Sequence, residues 1–161
     1  MRYWGPVVLL TTLVAGACQP ATTELTDRQR QAITSEVNEA VDELFAAMNA
    51  RDADRVLSHY LDSDDLAYVG TLSIRVSREG VAAMVRSFYN RHPEVTFTHR
   101  IVHTQVVSPN VAVVFTEGGS SDVEHLAWTH VLARAEDGSW LIAYEHEAWP
   151  GAAPPTRHPG M

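Results

Sequence analysis

At Val95 the spacing of apolar residues changes from three and four to two. Upstream, Ile33, Val37, Val41, Leu44, Phe45 and Met48 form one stripe along a helix, and Val81, Met84, Val85 and Phe88 form another. Downstream, "VTFTHRIVHTQVV", "VAVVFTEG", "HLAWTHVLARA" and "WLIAYEHEAW" alternate as strands do. Helices first and consecutive strands afterwards define an α+β chain, with helices on one face of a curved antiparallel sheet. "SPN" and "EDGS" have the chemistry of tight hairpin turns, and the Gly-Gly-Ser-Ser connection between the second and third strands is longer.

Local signals place the helices. Thr26 with Gln29 makes a capping box at the start of the first. Asp52 caps a short second helix carrying Val56, Leu57 and Tyr60. "LAYVG" is a short strand, and a third helix starts at Ser77 and stops at His92-Pro93, because the residue before proline avoids helical angles. Asp62, Asp64 and Asp65 lack the central Gly and closing Glu of a calcium loop and read as turn residues.

The chain has 161 residues, enough for one domain with one core. Its formal net charge of −8 argues against general affinity for nucleic acid, which needs a basic face. The first segment, "MRYWGPVVLLTTLVAGAC", has an Arg near its start, a short apolar run and small residues before Cys18, the lone cysteine. It resembles a bacterial lipobox, with Ala15 where Leu is usual. The resemblance implies a signal peptide over 1–17, lipidation of Cys18 and a membrane-anchored lipoprotein of the cell envelope, facing the periplasm or exterior; an ordinary cleaved signal is the alternative. A tether over 18–29, a domain over 30–150 and a flexible C-terminal tail over 151–161 complete the expected organisation.

The chemistry turns on "EHE" at 145–147. Neighbours in a strand face opposite ways, so His146 and its flanking carboxylates do not form one cluster. With Asp137-Gly138 as a two-residue turn, Ala135 faces Trp140, Val131 faces Tyr144, His130 faces Glu145 and Thr129 faces His146. The predicted inner face then carries Thr129, Trp140, Tyr144 and His146. The predicted outer face carries Trp128, His130, Leu132, Glu145, Glu147 and Trp149. That second set is too apolar for bare solvent and suggests a homodimer contact between sheets, or cover by a loop or tail.

His146 is therefore either a core histidine satisfied by Thr129, Tyr60 or Tyr68, or the polar anchor or proton carrier of a small-molecule pocket. The expected pocket comprises Tyr60, Tyr68, His99, Thr129, Trp140, Tyr144 and His146. No metal and no cofactor are expected. His99 and His103, read as sharing a strand face, stand roughly 13 Å apart, too far for one ion. A nucleophile elbow is absent from the sequence.

"NARDADRVLSHYLDSDDLAYVG", "SREGVAAMV", "NVAVVF" and "DGSWLIAYEHEAW", in that order, resemble the SnoaL-like (polyketide cyclase-like) branch of the nuclear transport factor 2-like superfamily. Asp137, Gly138, Trp140, Ile142 and His146 match its closing pattern, and Ala148 replaces the final Ser. The resemblance implies an NTF2-like or cystatin-like cone, three N-terminal helices over a curved antiparallel sheet, and dimers through the outer sheet face. It implies binding of a small, mostly apolar molecule, with isomerase, cyclase or lyase chemistry through His146, or a protein-interaction role for the outer face, as alternatives. Enzymes of this branch place an Asp or Asp-His pair inside the cone; no Asp of this chain is read as inward.

Overall fold

The computed structural model describes residues 24–70 and 73–149. The expected signal segment, Cys18 and the expected C-terminal tail lie outside them. Helix α1 (Asp27–Ala50) opens with the Thr26–Gln29 capping box and buries Ile33, Val37, Val41, Leu44, Phe45 and Ala47. Helix α2 (Ala53–Ser58) is capped by the Asp52 side chain, which accepts from the Arg55 N–H. Two short strands follow, β1 (Ala67–Gly70) and β2 (Ser73–Val76), and then α3 (Ser77–Arg91). Four longer strands complete the described residues: β3 (Phe97–Ser108), β4 (Val111–Ser120), β5 (Leu126–Arg134) and β6 (Trp140–Ala148).

The six strands form one sheet in the order β2-β1-β6-β5-β4-β3. Two expectations need correction. The β1–β2 hairpin intervenes between α2 and α3, so the three helices do not form an unbroken N-terminal block. The sheet is also not wholly antiparallel, because β1 runs parallel to β6. The segment just after α2 runs alongside β6 in the same parallel sense, where the Ile142 N–H donates to the His59 carbonyl and the Leu61 N–H to the Ile142 carbonyl.

Three irregularities set which side chains face the helices. The last hairpin turns through three residues, Glu136, Asp137 and Gly138, with Ala135 N–H bonded to Ser139 O and Gly138 at φ +88°. A third loop residue in the left-handed region is a known hairpin solution that glycine fills without strain. Trp140 therefore pairs with Arg134 rather than Ala135. An extra residue in β6, Ala143, then restores the expected pairs Val131–Tyr144, His130–Glu145 and Thr129–His146. A bulge reverses alternation beyond it. Trp140 and Ile142 point inward before the bulge, Glu145 points inward after it, and His146 is exposed. In β3 a bulge between Ile101 and His103 likewise puts His99 on the inner face and leaves His103 exposed.

Candidate functional site

On β5 the inner side chains are Leu126, Trp128, His130 and Leu132, all buried. Their outer neighbours are Ala127, Thr129, Val131 and Ala133. This is opposite to the face assignment made from the sequence. Trp128, His130, Leu132 and Glu145, expected on a dimer face, are interior residues. Trp149, expected with them, borders the cavity described below.

A cavity of about 500 Å³ lies between the sheet and the helices. Its wall is largely apolar and aromatic, including Met48, Val85, Phe88, Tyr89, Phe97 and Leu126. Polar side chains converge on one part of it: Glu145 and Glu147 from β6, Tyr60 from the end of α2, and Tyr68 from β1. The parallel β1–β6 register sets Tyr68 beside Glu145. Gly70 leaves room for the Tyr68 ring, since a Cβ there would stand 2.9 Å from the ring's Cε1.

Glu145 is 4% exposed and anchors a buried network. The Tyr60 hydroxyl donates to its Oε2 at 2.5 Å. His130 Nδ1 lies 3.5 Å from the same oxygen, and His130 Nε2 is 3.3 Å from Thr116 Oγ1. Among the described residues, His130 Nδ1 has no hydrogen-bond partner. Burial pushes the Tyr60 phenol well above its ordinary value, and the Glu145 carboxylate pushes it further, so it stays a neutral donor.

Glu147 accepts from two indoles, Trp149 Nε1 at 2.9 Å and Trp128 Nε1 at 3.2 Å. Burial raises its pKa, and Glu145 adds to the rise. The indole donors and the Tyr68 hydroxyl oppose it. Tyr68 is itself raised, first by burial and then by the two carboxylates.

A carboxyl with a raised folded pKa binds its proton more tightly when folded. Stability is therefore greater below the ordinary value of 4.5 and declines as pH rises through the folded value. Glu147→Gln is expected to remove this decline. Its melting temperature relative to the parent should be more favourable at pH 8 than at pH 4, and an equal offset at both would contradict the buried position of Glu147.

Of the residues expected to line a pocket, Tyr60 and Tyr68 do so. His99 faces inward but stacks on Phe45 at 4.0 Å and meets Asp42 Oδ1 at 2.7 Å. Trp140 is buried away from the cavity, its Nε1 donating to Glu36 Oε2 at 2.9 Å with the Arg134 guanidinium over its ring. Thr129, Tyr144 and His146 lie across the sheet, turned away by the alternation of β5 and the bulge at Ala143. His146 therefore holds no place as a proton carrier in the cavity. Glu145, Glu147, His130 and Thr116 are inward polar residues that sequence reasoning did not place inside. The usable signal was size, since Leu126, Trp128, His130 and Leu132 alternate with Ala127, Thr129, Val131 and Ala133. Among the described residues, no group of three or more His, Cys, Asp or Glu side chains is placed to hold a metal ion.

The six-stranded sheet with helices packed over this cavity is an α+β fold of the kind found in NTF2-like and cystatin-like structures. Residues 37–151 match the family model of the SnoaL-like domain, and the chain belongs to that family. The fold is similar to a putative dehydratase of the NTF2-like family from Streptomyces avermitilis, with TM-score 0.65, 18% identity, and 73% of this chain and 95% of the other covered. It is also similar to a ketosteroid isomerase-like protein from Erwinia carotovora atroseptica, with TM-score 0.58, 20% identity, and 70% and 92% covered. A protein with a cystatin-like fold from Nostoc punctiforme aligns with TM-score 0.62 at 11% identity over 78% and 79% of the two chains. At such identities the likeness is one of fold. No curated protein matches the chain significantly in sequence.

Proposed function

We propose that the domain is a receptor for a small, mostly apolar molecule, held in the cavity between the helices and the inner sheet face. The observation that carries this reading is an apolar and aromatic cavity of ligand size with a few polar groups converging on one part of its wall. The lipobox-like segment ending at Cys18 supports an envelope lipoprotein held to the membrane by its N-terminal anchor. The test is native mass spectrometry of the mature protein purified from its own host, beside Val85→Trp, which fills the cavity. A retained small molecule, absent from the variant, is the expected result. No retained mass and no displaceable binding of the neutral dye Nile red would overturn the reading.

A second reading is favoured by the raised pKa of Glu147, a carboxyl bordering the cavity. Here the domain is an isomerase, cyclase or lyase whose proton carrier is Glu147. Glu147→Gln would then lower turnover of the retained compound by about 10²–10⁴-fold while leaving it bound. Unchanged turnover would remove this reading.

The outer sheet face supports a homodimer, through residues other than those expected. Val102 and Val107 are 51% and 57% exposed, Phe115 is 37% exposed, and all three lie on the face away from the helices. Phe115→Glu is expected to halve the mass measured by light scattering. A monomer before the substitution would contradict the dimer.

A further inference from the structure

The polar part of the cavity is acceptor-rich. An ionised carboxylate offers about four lone-pair sites. Glu145 accepts one side-chain hydrogen bond, from Tyr60. Behind it, His130 Nδ1 is fully buried, has no hydrogen-bond partner among the described residues and lies 3.5 Å from the same Oε2. Glu147 has its two indole donors and the neighbouring Tyr68 hydroxyl. The Tyr60 hydroxyl is committed to a carboxylate and Tyr68 is turned to one, so neither is a free donor for a carbonyl oxygen or oxyanion of a ligand.

Among the described residues no basic side chain pairs with Glu147, and the basic group beside Glu145 is His130, at 3.5 Å. Arg91 is exposed, and its Nε donates to the Ser87 carbonyl. His92 sits on Phe88 and contacts Asp122 at 3.0 Å, both half-open to solvent. Arg75, opposite Tyr68 in the β1–β2 pair, is exposed and is not among the lining residues. The wall of the same cavity carries the aromatic rings of Tyr60, Tyr68, Phe88, Tyr89 and Trp149, with Tyr60 bonded to Glu145 and Trp149 to Glu147. Aromatic walls beside desolvated carboxylates favour an organic cation twice over, by direct charge and by the ring quadrupoles.

We infer that the ligand is an amine: a mostly apolar body carrying one protonated nitrogen, seated against Glu145 and Glu147. The inference rests on the receptor reading above and adds the ligand's chemical class. Its test uses three probes of nearly one shape and different charge, titrated calorimetrically at neutral pH: 4-phenylbenzylamine, 4-phenylbenzyl alcohol and 4-phenylbenzoate. The amine should bind at least about tenfold more tightly than the alcohol, and the benzoate more weakly than either. Glu147→Gln, checked for native fold by circular dichroism, should shrink the ratio of amine to alcohol affinity at least severalfold, whichever way the alcohol's own affinity moves. Equal binding of amine and alcohol would overturn the amine inference and leave an apolar receptor standing. Tighter binding of the benzoate would overturn it outright. No binding by any of the three, with none of Nile red, would remove both the inference and the receptor.

Discussion

Trp128→Ala is expected to destabilise the domain by about 3–5 kcal/mol, the usual range for truncating a buried aromatic. Trp128 is 2% exposed. Its ring meets Phe45 edge-on at 5.1 Å, tying β5 to α1. Its indole N–H also supports Glu147 from inside the core. The variant therefore loses apolar burial, an aromatic pair and a donor to a partly buried carboxylate. Set against a typical total of about 5–15 kcal/mol, the loss brings the fold close to its limit. Urea unfolding followed by circular dichroism measures it. A change under about 1 kcal/mol is what a surface tryptophan would give, and would place Trp128 on the outer face.

Tyr60→Phe should cost about 2–3 kcal/mol, although it deletes a single oxygen. Among the described residues the deleted hydroxyl is the one side-chain donor bonded to Glu145 Oε2, and the carboxylate it leaves behind is buried. The penalty arises from that orphaned acceptor more than from the lost bond. Replacing Glu145 as well, in Tyr60→Phe with Glu145→Met, should recover part of the loss, since removing both partners leaves no buried charge without its donor. A double-mutant cycle by urea unfolding reads this directly. Additive losses would mean that the two side chains do not interact.

Much of the frame was legible because its signals are local. The capping box at Thr26 and the Asp52 cap depend on side chains reaching backbone groups three residues away. Pairs such as His130–Glu145 and Thr129–His146 followed from counting outward from the turn. They emerged correctly because two departures offset each other. The loop holds three residues rather than two, which shifts pairing by one, and the extra residue at Ala143 shifts it back.

The candidate site was harder to read, because the same extra residue has a second effect. It reverses which side chains of β6 face the helices, while the pairs beyond it become the ones expected from the turn. Trp140 and Ile142 are apolar and inward, and strict alternation from them leads to Tyr144 and His146. The bulge leads instead to Glu145 and Glu147. Nothing in "IAYE" announces a bulge, since Ala143 is no turn former. β2 escaped notice for another reason: Ile74, Arg75 and Val76 are exposed on an edge strand of four residues, too short and too open to show a buried face.

The inward turn of the two carboxylates is the claim on which the cavity's chemistry rests. Its most direct measurement is a nuclear Overhauser spectrum read from the indole N–H proton of Trp128. Cross-peaks to the γ-protons of Glu147 and the ring protons of Phe45 are the predicted result. Cross-peaks from that proton to Tyr144 and His146 instead would put the tryptophan and both carboxylates on opposite faces, and would contradict the account.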